Sequence, residues 1–304
     1  MALALISGGS GMIGTALSRL LLEKGHRVVV LTRDVMKRSE FGESVEWDGV
    51  HPGLWMDWIQ KSDWLINLAG ENIGGKRWST EHWRAVRESR VFTGELLTEA
   101  VRRSSRKPSV MLQMSAIGYY GIQYAGDTSA LDENSPPGND RLAAVCREWE
   151  ASSYKVEELG VRRLIIRTGL VLNRKAGVLP KLDLPFRFFV GGPMGNGRQM
   201  YSWIHIDDLV QGMLYLLENP GLSGAFNLTA PEPVSNAEFS RLLGRILHRP
   251  SWLPVPAFAL KLALGEMSTL ILDGQRVLPK RLQSESGFTF MYPDVQSALQ
   301  DIYN

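Results

Sequence analysis

Short apolar runs alternate with segments of helical period through the first half of the chain. The runs fall at residues 2–7, 27–33, 64–69, 109–115 and 161–168. They are continuous rather than alternating, the pattern of strands buried on both faces of a parallel sheet. Between them, residues 12–24, 80–104 and 142–159 place apolar side chains at three- and four-residue spacing, the signature of helices with one face toward a core. In the long middle helix the stripe comprises Trp83, Val86, Leu96, Leu97 and Val101. Strands and helices in this order build a doubly wound α/β sheet of Rossmann type.

After Thr168 no clean period lasts, and Gly and Pro punctuate short apolar pieces through residues 169–206. Helical patterning returns at 207–218, "GAFNLTA" reads as one more strand, and 235–247 is an amphipathic helix with Ser235 as its N-cap. The expected organisation is a dinucleotide-binding domain at 1–170 to which 203–228 returns. A smaller substrate-side or cap region is expected from 171–202 and 229–304.

Composition narrows the function classes. Of 304 residues, 34 are Lys or Arg and 32 Asp or Glu, a net charge of +2, too small to point to nucleic acid or an anionic membrane as partner. Cys146 is the only cysteine, which excludes an internal disulfide and suits a reducing compartment. The five histidines show no metal-ligand spacing. The start "MALALIS" lacks a basic leader and runs into a glycine turn, and no apolar run reaches the roughly 18 residues of a membrane helix. A cytoplasmic protein with a small-molecule substrate is the resulting expectation.

The glycine turn lies in "ISGGSGMIGTALSRLL". Gly8, Gly11 and Gly14 form one spaced triplet, and Gly9, Gly11 and Gly14 satisfy G-x-G-x-x-G, directly between a strand and a helix. In that frame the turn, with Ser10, Met12 and Ile13, cradles a dinucleotide pyrophosphate on backbone N–H groups at a helix N-terminus. A merely tight strand-to-helix turn is the alternative. At the end of the second strand an acidic residue would select NAD. Here Thr32 and Arg33 stand there, able to bond and pair with a 2′-phosphate, with Lys37 and Arg38 beyond. Asp34 argues the other way, but the balance favours NADP(H).

Taken with "NLAGENI", "SAIGYYG", "RTGLVL", "WIHIDDL", "KRW", "SRV", "VCREWEA" and the tail "LDGQRVLPKRLQSESGF", the chain resembles the extended and atypical short-chain dehydrogenase/reductases. It is most similar to their NAD-dependent epimerase/dehydratase-like branch, along essentially its whole length. The resemblance implies that Leu68, Ala69 and Gly70, followed by Glu71, lie beside the adenosine half of the cofactor. It also implies that Arg90 faces the dinucleotide and that Val171 lines the nicotinamide side. Core packing for Leu68 and Ala69, and pairing of Arg90 with Glu88 or Glu95, are the alternatives.

One departure concerns chemistry. The superfamily uses a Tyr-x-x-x-Lys pair for proton transfer, and no Tyr here is followed four residues later by Lys. Cys146 and Glu150 fall at the corresponding positions of "CREWE". A carboxylate in place of the lysine would raise, not lower, a neighbouring acid's pKa. Tyr120, Glu150 and Ser115 are the candidate substitutes, with Tyr119 beside them. On the substrate side stand Arg198, in the glycine-rich loop "GGPMGNGRQMYSW", and His205. Packing a turn for Tyr120, a surface or capping bond for Glu150 and anchoring a helix start for His205 are the competing roles. The functional expectation is an NADP(H)-dependent oxidoreductase or epimerase-like protein acting on a small carbonyl or hydroxyl compound. A non-catalytic NADPH-responsive regulator and a sugar-nucleotide epimerase are the alternatives.

Overall fold

The computed structural model describes residues 1–33, 42–123, 127 and 129–304. Asp34, Lys37 and Arg38 lie outside them. In chain order the strands and helices are β1 (Leu3–Ser7), α1 (Met12–Glu23), β2 (Arg27–Thr32), β3 (Glu43–Glu46), β4 (Trp64–Asn67), α2 (Thr80–Arg103) and β5 (Val110–Ala116). Then follow α3 (Arg141–Ala151), β6 (Arg162–Thr168), β7 (Leu170–Leu172), α4 (Leu179–Arg187), β8 (Met200–Tyr201), β9 (Trp203–His205), α5 (Ile206–Glu218) and β10 (Gly224–Leu228). The chain closes with β11 (Val234–Ser235), α6 (Asn236–Ile246), α7 (Ala257–Leu264), α8 (Thr269–Leu272), α9 (Lys280–Ser284) and α10 (Val295–Tyr303).

Seven strands form one sheet in the order β10-β6-β5-β4-β1-β2-β3, every neighbouring pair parallel. The apolar runs become its central strands because each must satisfy two cores. In β1, Ala4 and Ile6 point to a core shared with Leu17, Leu20 and Leu21 of α1 and Leu209, Met213 and Leu216 of α5. Leu3 and Leu5 point the opposite way, to Leu97, Ala100 and Val101 of α2. Strand order reverses between β1 and β4, and the crevice at their C-terminal ends is where a doubly wound sheet binds its ligand.

A third core joins α4, α6 and α10 through Leu182, Phe186, Phe239, Leu243, Leu299 and Ile302. Ser235 caps α6 as expected, its hydroxyl accepting the Glu238 N–H at 3.2 Å. Three expectations change. The helix expected over 142–159 ends at Ala151 and gives way after Ser152 and Ser153 to a separate tight turn of helix, Tyr154–Leu159. Of the stretch 203–228, only β10 joins the main sheet; β9 pairs with β7 in a two-stranded ribbon. Residues 169–206 hold α4 as well as short strands, with Pro185 inside the helix.

Candidate functional site

The glycine turn is shaped by what a side chain would strike. A Cβ on Gly8, whose φ is +71°, would lie 2.7 Å from the Leu68 carbonyl carbon, and one on Gly14 would lie 2.5 Å from the Gly9 Cα. The turn therefore packs directly on the backbone leaving β4 and on itself. Below it runs a buried polar chain across three strands. The Ser7 hydroxyl donates to Asn67 Oδ1 at 2.7 Å, and Asn67 Nδ2 donates to Gln113 Oε1 at 2.9 Å. Asn67 Oδ1 also accepts the Ala69 N–H at 3.2 Å, fixing the loop after β4.

Gly11 is the N-cap of α1 and brings no side chain to it, so the first-turn N–H groups have no side-chain cap. Ser10 and Gly11 are exposed and Met12 and Ile13 half-buried, which leaves this helix end open to a ligand. A bare, exposed N-terminus at the switch point fits a pyrophosphate, since oriented N–H groups and the helix dipole both favour an anion.

The other expected cofactor residues lie at the end of β2, after β4, on α2 and on β7. Leu68, Ala69 and Gly70 follow β4, and the Glu71 N–H donates to Ser89 Oγ at 2.9 Å. Arg90 donates to the carbonyls of Glu71 at 3.0 Å and Val86 at 2.9 Å, and its guanidinium lies 4.8 Å from the Trp149 ring centroid. These contacts replace the pairing with Glu88 or Glu95. Burial holds the Arg90 pKa below its ordinary value, against the opposing influence of Cys146 and Glu71. Val171 sits on β7, close to Gly177, whose added Cβ would lie 3.2 Å from the Met12 sulfur. Arg33 stands exposed just past β2.

Beyond the turn opens a cleft of ≈ 260 Å³. Its floor comes from the ends of β5 and β6 (Ala116, Thr168), one wall from α3 (Leu142, Val145, Cys146, Trp149), and the facing wall from Leu270, Ile271 and Gln275. Cys146, which the sequence resemblance sets at the place of the superfamily's tyrosine, thus lines this cleft. Burial, with the nearby Glu150 carboxylate adding to it, pushes the thiol pKa up to about 12.

Tyr120, Glu150 and Ser115 do come together, but behind the cleft rather than in its lining. Their partner is Arg167, 5% exposed. Its guanidinium donates to both Glu150 carboxylate oxygens at 2.9 Å and to the Tyr120 hydroxyl at 3.1 Å, and it lies 3.4 Å from the Tyr119 ring centroid. Ser115 donates to Glu150 Oε1 and Tyr120 to Asn227 Oδ1, each at 2.7 Å. Burial pushes the Tyr120 pKa up to about 12 despite the arginine. Burial works against the Arg167 charge, but its bonds to Glu150 prevail and raise its pKa. No sequence spacing links Arg167 or Asn227 to Tyr120; only the fold brings them together.

The substrate-side candidates lie apart. Arg198 is exposed, and its backbone N–H donates to Asn196 Oδ1 at 3.0 Å, while its loop reaches the cleft only later, at Met200, Tyr201 and Ser202. His205 is 2% exposed and caps α5, Nδ1 accepting the Asp207 N–H at 3.2 Å with the ring 4.2 Å from that of Tyr292. Its Nε2 lies 3.4 Å from Asp301. His205, Asp207 and Asp301 form a group with ligand-type atoms within 4.8 Å, which no sequence spacing announced. Among the described residues no helix is long and apolar enough to cross a membrane.

Residues 4–228 match the NAD dependent epimerase/dehydratase family, and 255–302 match a domain of unknown function. The chain is 41% identical over 302 residues to a chloroplastic epimerase family protein of Arabidopsis thaliana, the SDR39U1 homolog, covering 98% of this chain and 85% of that protein. It superposes on human epimerase family protein SDR39U1 (isoform 2), solved with NADPH, with a TM-score of 0.87 and 31% identity over 99% of both chains. It is also similar to a nucleoside-diphosphate sugar epimerase from Corynebacterium glutamicum, TM-score 0.80 and 32% identity, over 99% of this chain but 58% of that one.

Proposed function

The chain belongs to the NAD dependent epimerase/dehydratase family, and from that membership we propose that it binds NADP(H) and interconverts a small carbonyl compound and its alcohol. The observation that carries the cofactor half is the uncapped N-terminus of α1, set at the switch point by glycines that admit no Cβ. The human relative solved with NADPH supports the choice of nucleotide. The turn from Gly8 to Gly14 would hold the pyrophosphate, Thr32 and Arg33 the 2′-phosphate, Leu68 to Glu71 the adenosine side, and Val171 the nicotinamide side. When bound, NADPH supplies a hydride to a carbonyl carbon while a proton reaches the oxygen, giving the alcohol and NADP⁺.

The chain's own share is binding, orientation and exclusion of water. Arg90, fastened to the Glu71 and Val86 carbonyls, holds the loop after β4 against α2. Ser115, Tyr120 and Glu150 act as positioning residues: through Arg167 they fix the end of β5 against α3 and so the floor of the cleft.

The second reading, an NADPH-responsive regulator without turnover, is favoured by one observation. In the register the resemblance implies, Cys146 takes the place of the proton-transferring tyrosine, and burial, which pushes its pKa up to about 12, makes it a poor acid near neutrality.

The cofactor assignment is tested by titrating the protein with NADPH and NADH, wild type against Arg33→Ala. Loss of a charge-assisted hydrogen bond is expected to weaken NADPH roughly tenfold or more and leave NADH unchanged. Equal affinities for both nucleotides, insensitive to the substitution, refute the 2′-phosphate assignment. Absorbance at the reduced-nicotinamide band, followed while carbonyl compounds are added, then separates turnover from mere binding.

A further inference from the structure

Fitted to a sugar nucleotide, the cleft would need partners for two phosphates and several hydroxyls, because a phosphate taken from water demands cationic or N–H partners. Its lining supplies few. Among the described residues that line it, Arg90 is the one cation, and its Nη1 is already committed to two backbone carbonyls. Asp273 is the one carboxylate, and it would repel a phosphate. Arg198, the candidate for an anionic group, is not in the lining. What faces the space instead is Ile117, Leu142, Val145, Leu182, Leu270 and Ile271.

The wall opposite α3 is built by the tail that matches a domain of unknown function, and it is fastened in place. Gly274 lies so close to β8 that an added Cβ would be 2.1 Å from the Met200 carbonyl oxygen. Gln275 Nε2 donates to the Gly121 carbonyl at 2.7 Å, and the Ser202 hydroxyl donates to the Gln275 carbonyl at 2.8 Å while accepting the Val277 N–H at 2.8 Å. Gln199 Nε2 donates to the Ile271 carbonyl at 3.0 Å. A segment held by so many bonds to the cleft's other elements is a preformed surface, the usual condition of a small-molecule site.

We infer that the substrate is an apolar, unphosphorylated carbonyl compound or its alcohol, and that residues 269–275 of the tail are the element that sets its size. This rests on the NADP(H)-dependent carbonyl reading above and narrows it. An apolar wall discriminates by area removed from water, so each methylene that finds room should improve binding by about fourfold until the cleft is full.

The experiment titrates the NADP⁺-loaded protein, which has no hydride to give, calorimetrically with straight-chain 2-alkanones from 2-butanone to 2-octanone, and with UDP-glucose. Affinity is expected to climb about fourfold per methylene to a maximum and then fall. UDP-glucose is expected to bind no better than the shortest ketone. Leu270→Trp, at a site already partly exposed and therefore safe for folding, should move the maximum to a shorter ketone. UDP-glucose binding more tightly than every ketone, or affinity flat along the series, overturns the substrate class. A maximum unmoved in the folded variant overturns the assignment of the wall. Failure of NADPH itself to bind would strike the underlying reading instead, and the ketone series on the free chain still decides the class.

Discussion

Replacing Glu150 by Gln keeps the shape of the side chain and removes its charge from beside a buried guanidinium. The Arg167 side chain is 6% exposed and that of Glu150 13%, and the two are joined by a bidentate pair. Stranding a buried charge in this way costs about 3–5 kcal/mol, far more than the net worth of the intact pair, because the desolvation of Arg167 is then uncompensated. At roughly 2 °C per kcal/mol for a chain of this size, Glu150→Gln is expected to melt about 6–10 °C below wild type. Arg167→Met strands the carboxylate instead. The double variant, with neither charge, should be less destabilised than the sum of the singles by about 0.5–3 kcal/mol, the range found for residues in one network. Urea unfolding of the four proteins measures this cycle, and NADPH titration of the same samples measures the site. Because none of the network's polar atoms lines the cleft, NADPH affinity in the folded variants should stay within about threefold of wild type, a difference under ~0.7 kcal/mol. A Glu150→Gln loss below about 1 kcal/mol, or strict additivity, would refute the buried-pair argument. A collapse of turnover with stability and NADPH binding intact would make Glu150 a catalytic residue.

Gly14→Ala places a Cβ 2.5 Å from the Gly9 Cα and 2.6 Å from the Gly8 carbonyl oxygen, so the turn must open. Calorimetry should show NADPH binding at least tenfold weaker, about 1.4 kcal/mol, and unchanged affinity would exclude the cradle. Tyr120→Phe removes a donor to Asn227 and an acceptor for Arg167, and an expected loss of about 1–3 kcal/mol is readable in the urea midpoint. Any measurable activity should keep its pH profile through pH 10 in that variant, since burial already holds the phenol near 12. For His205, burial outweighs the pull of Asp207, Asp301 and Asp208 and holds the folded-state pKa below 6.5. As pH falls through 6.5 the unfolded chain therefore takes up the proton first, and stability declines until the folded-state pKa is passed. Urea midpoints should fall on acidification from pH 8 to pH 5, and His205→Asn, which keeps a capping acceptor, should flatten that slope.

What the sequence made legible was local in the chain. The glycine turn spans a few residues, its strand and helix abut it, and the constraints on Gly8 and Gly14 come from neighbours the pattern had placed. The central strands were legible because burial on both faces demands unbroken apolar runs. β3 was not: its sequence ESVE puts a glutamate at each end of a four-residue edge strand, charge that guards an exposed edge and hides the strand from a hydrophobic reading. The helix boundary at Ser152 was equally invisible, since neither serine is a strong breaker and apolar residues continue beyond it.

The surroundings of the polar candidates were illegible for a related reason. Tyr120, Glu150 and Ser115 are candidates in the sequence because the Tyr-x-x-x-Lys pair of the resembled superfamily is missing. Whether such a group faces a cleft or a partner depends on residues distant in sequence: Arg167 lies 47 positions from Tyr120, and Asn227 lies 107. Once Arg167 is among them, all three have a physical obligation, since a buried guanidinium must be neutralised and hydrogen-bonded wherever it sits. In the register the resemblance implies, Glu150 takes the lysine's place, and it is committed to Arg167. The carboxylate at the lysine's position turns away from the cleft to hold that arginine, leaving α3 to present Leu142, Val145, Cys146 and Trp149 to the ligand. An apolar cleft with a thiol in its α3 wall follows from that arrangement, and so does the expectation that its substrate is apolar.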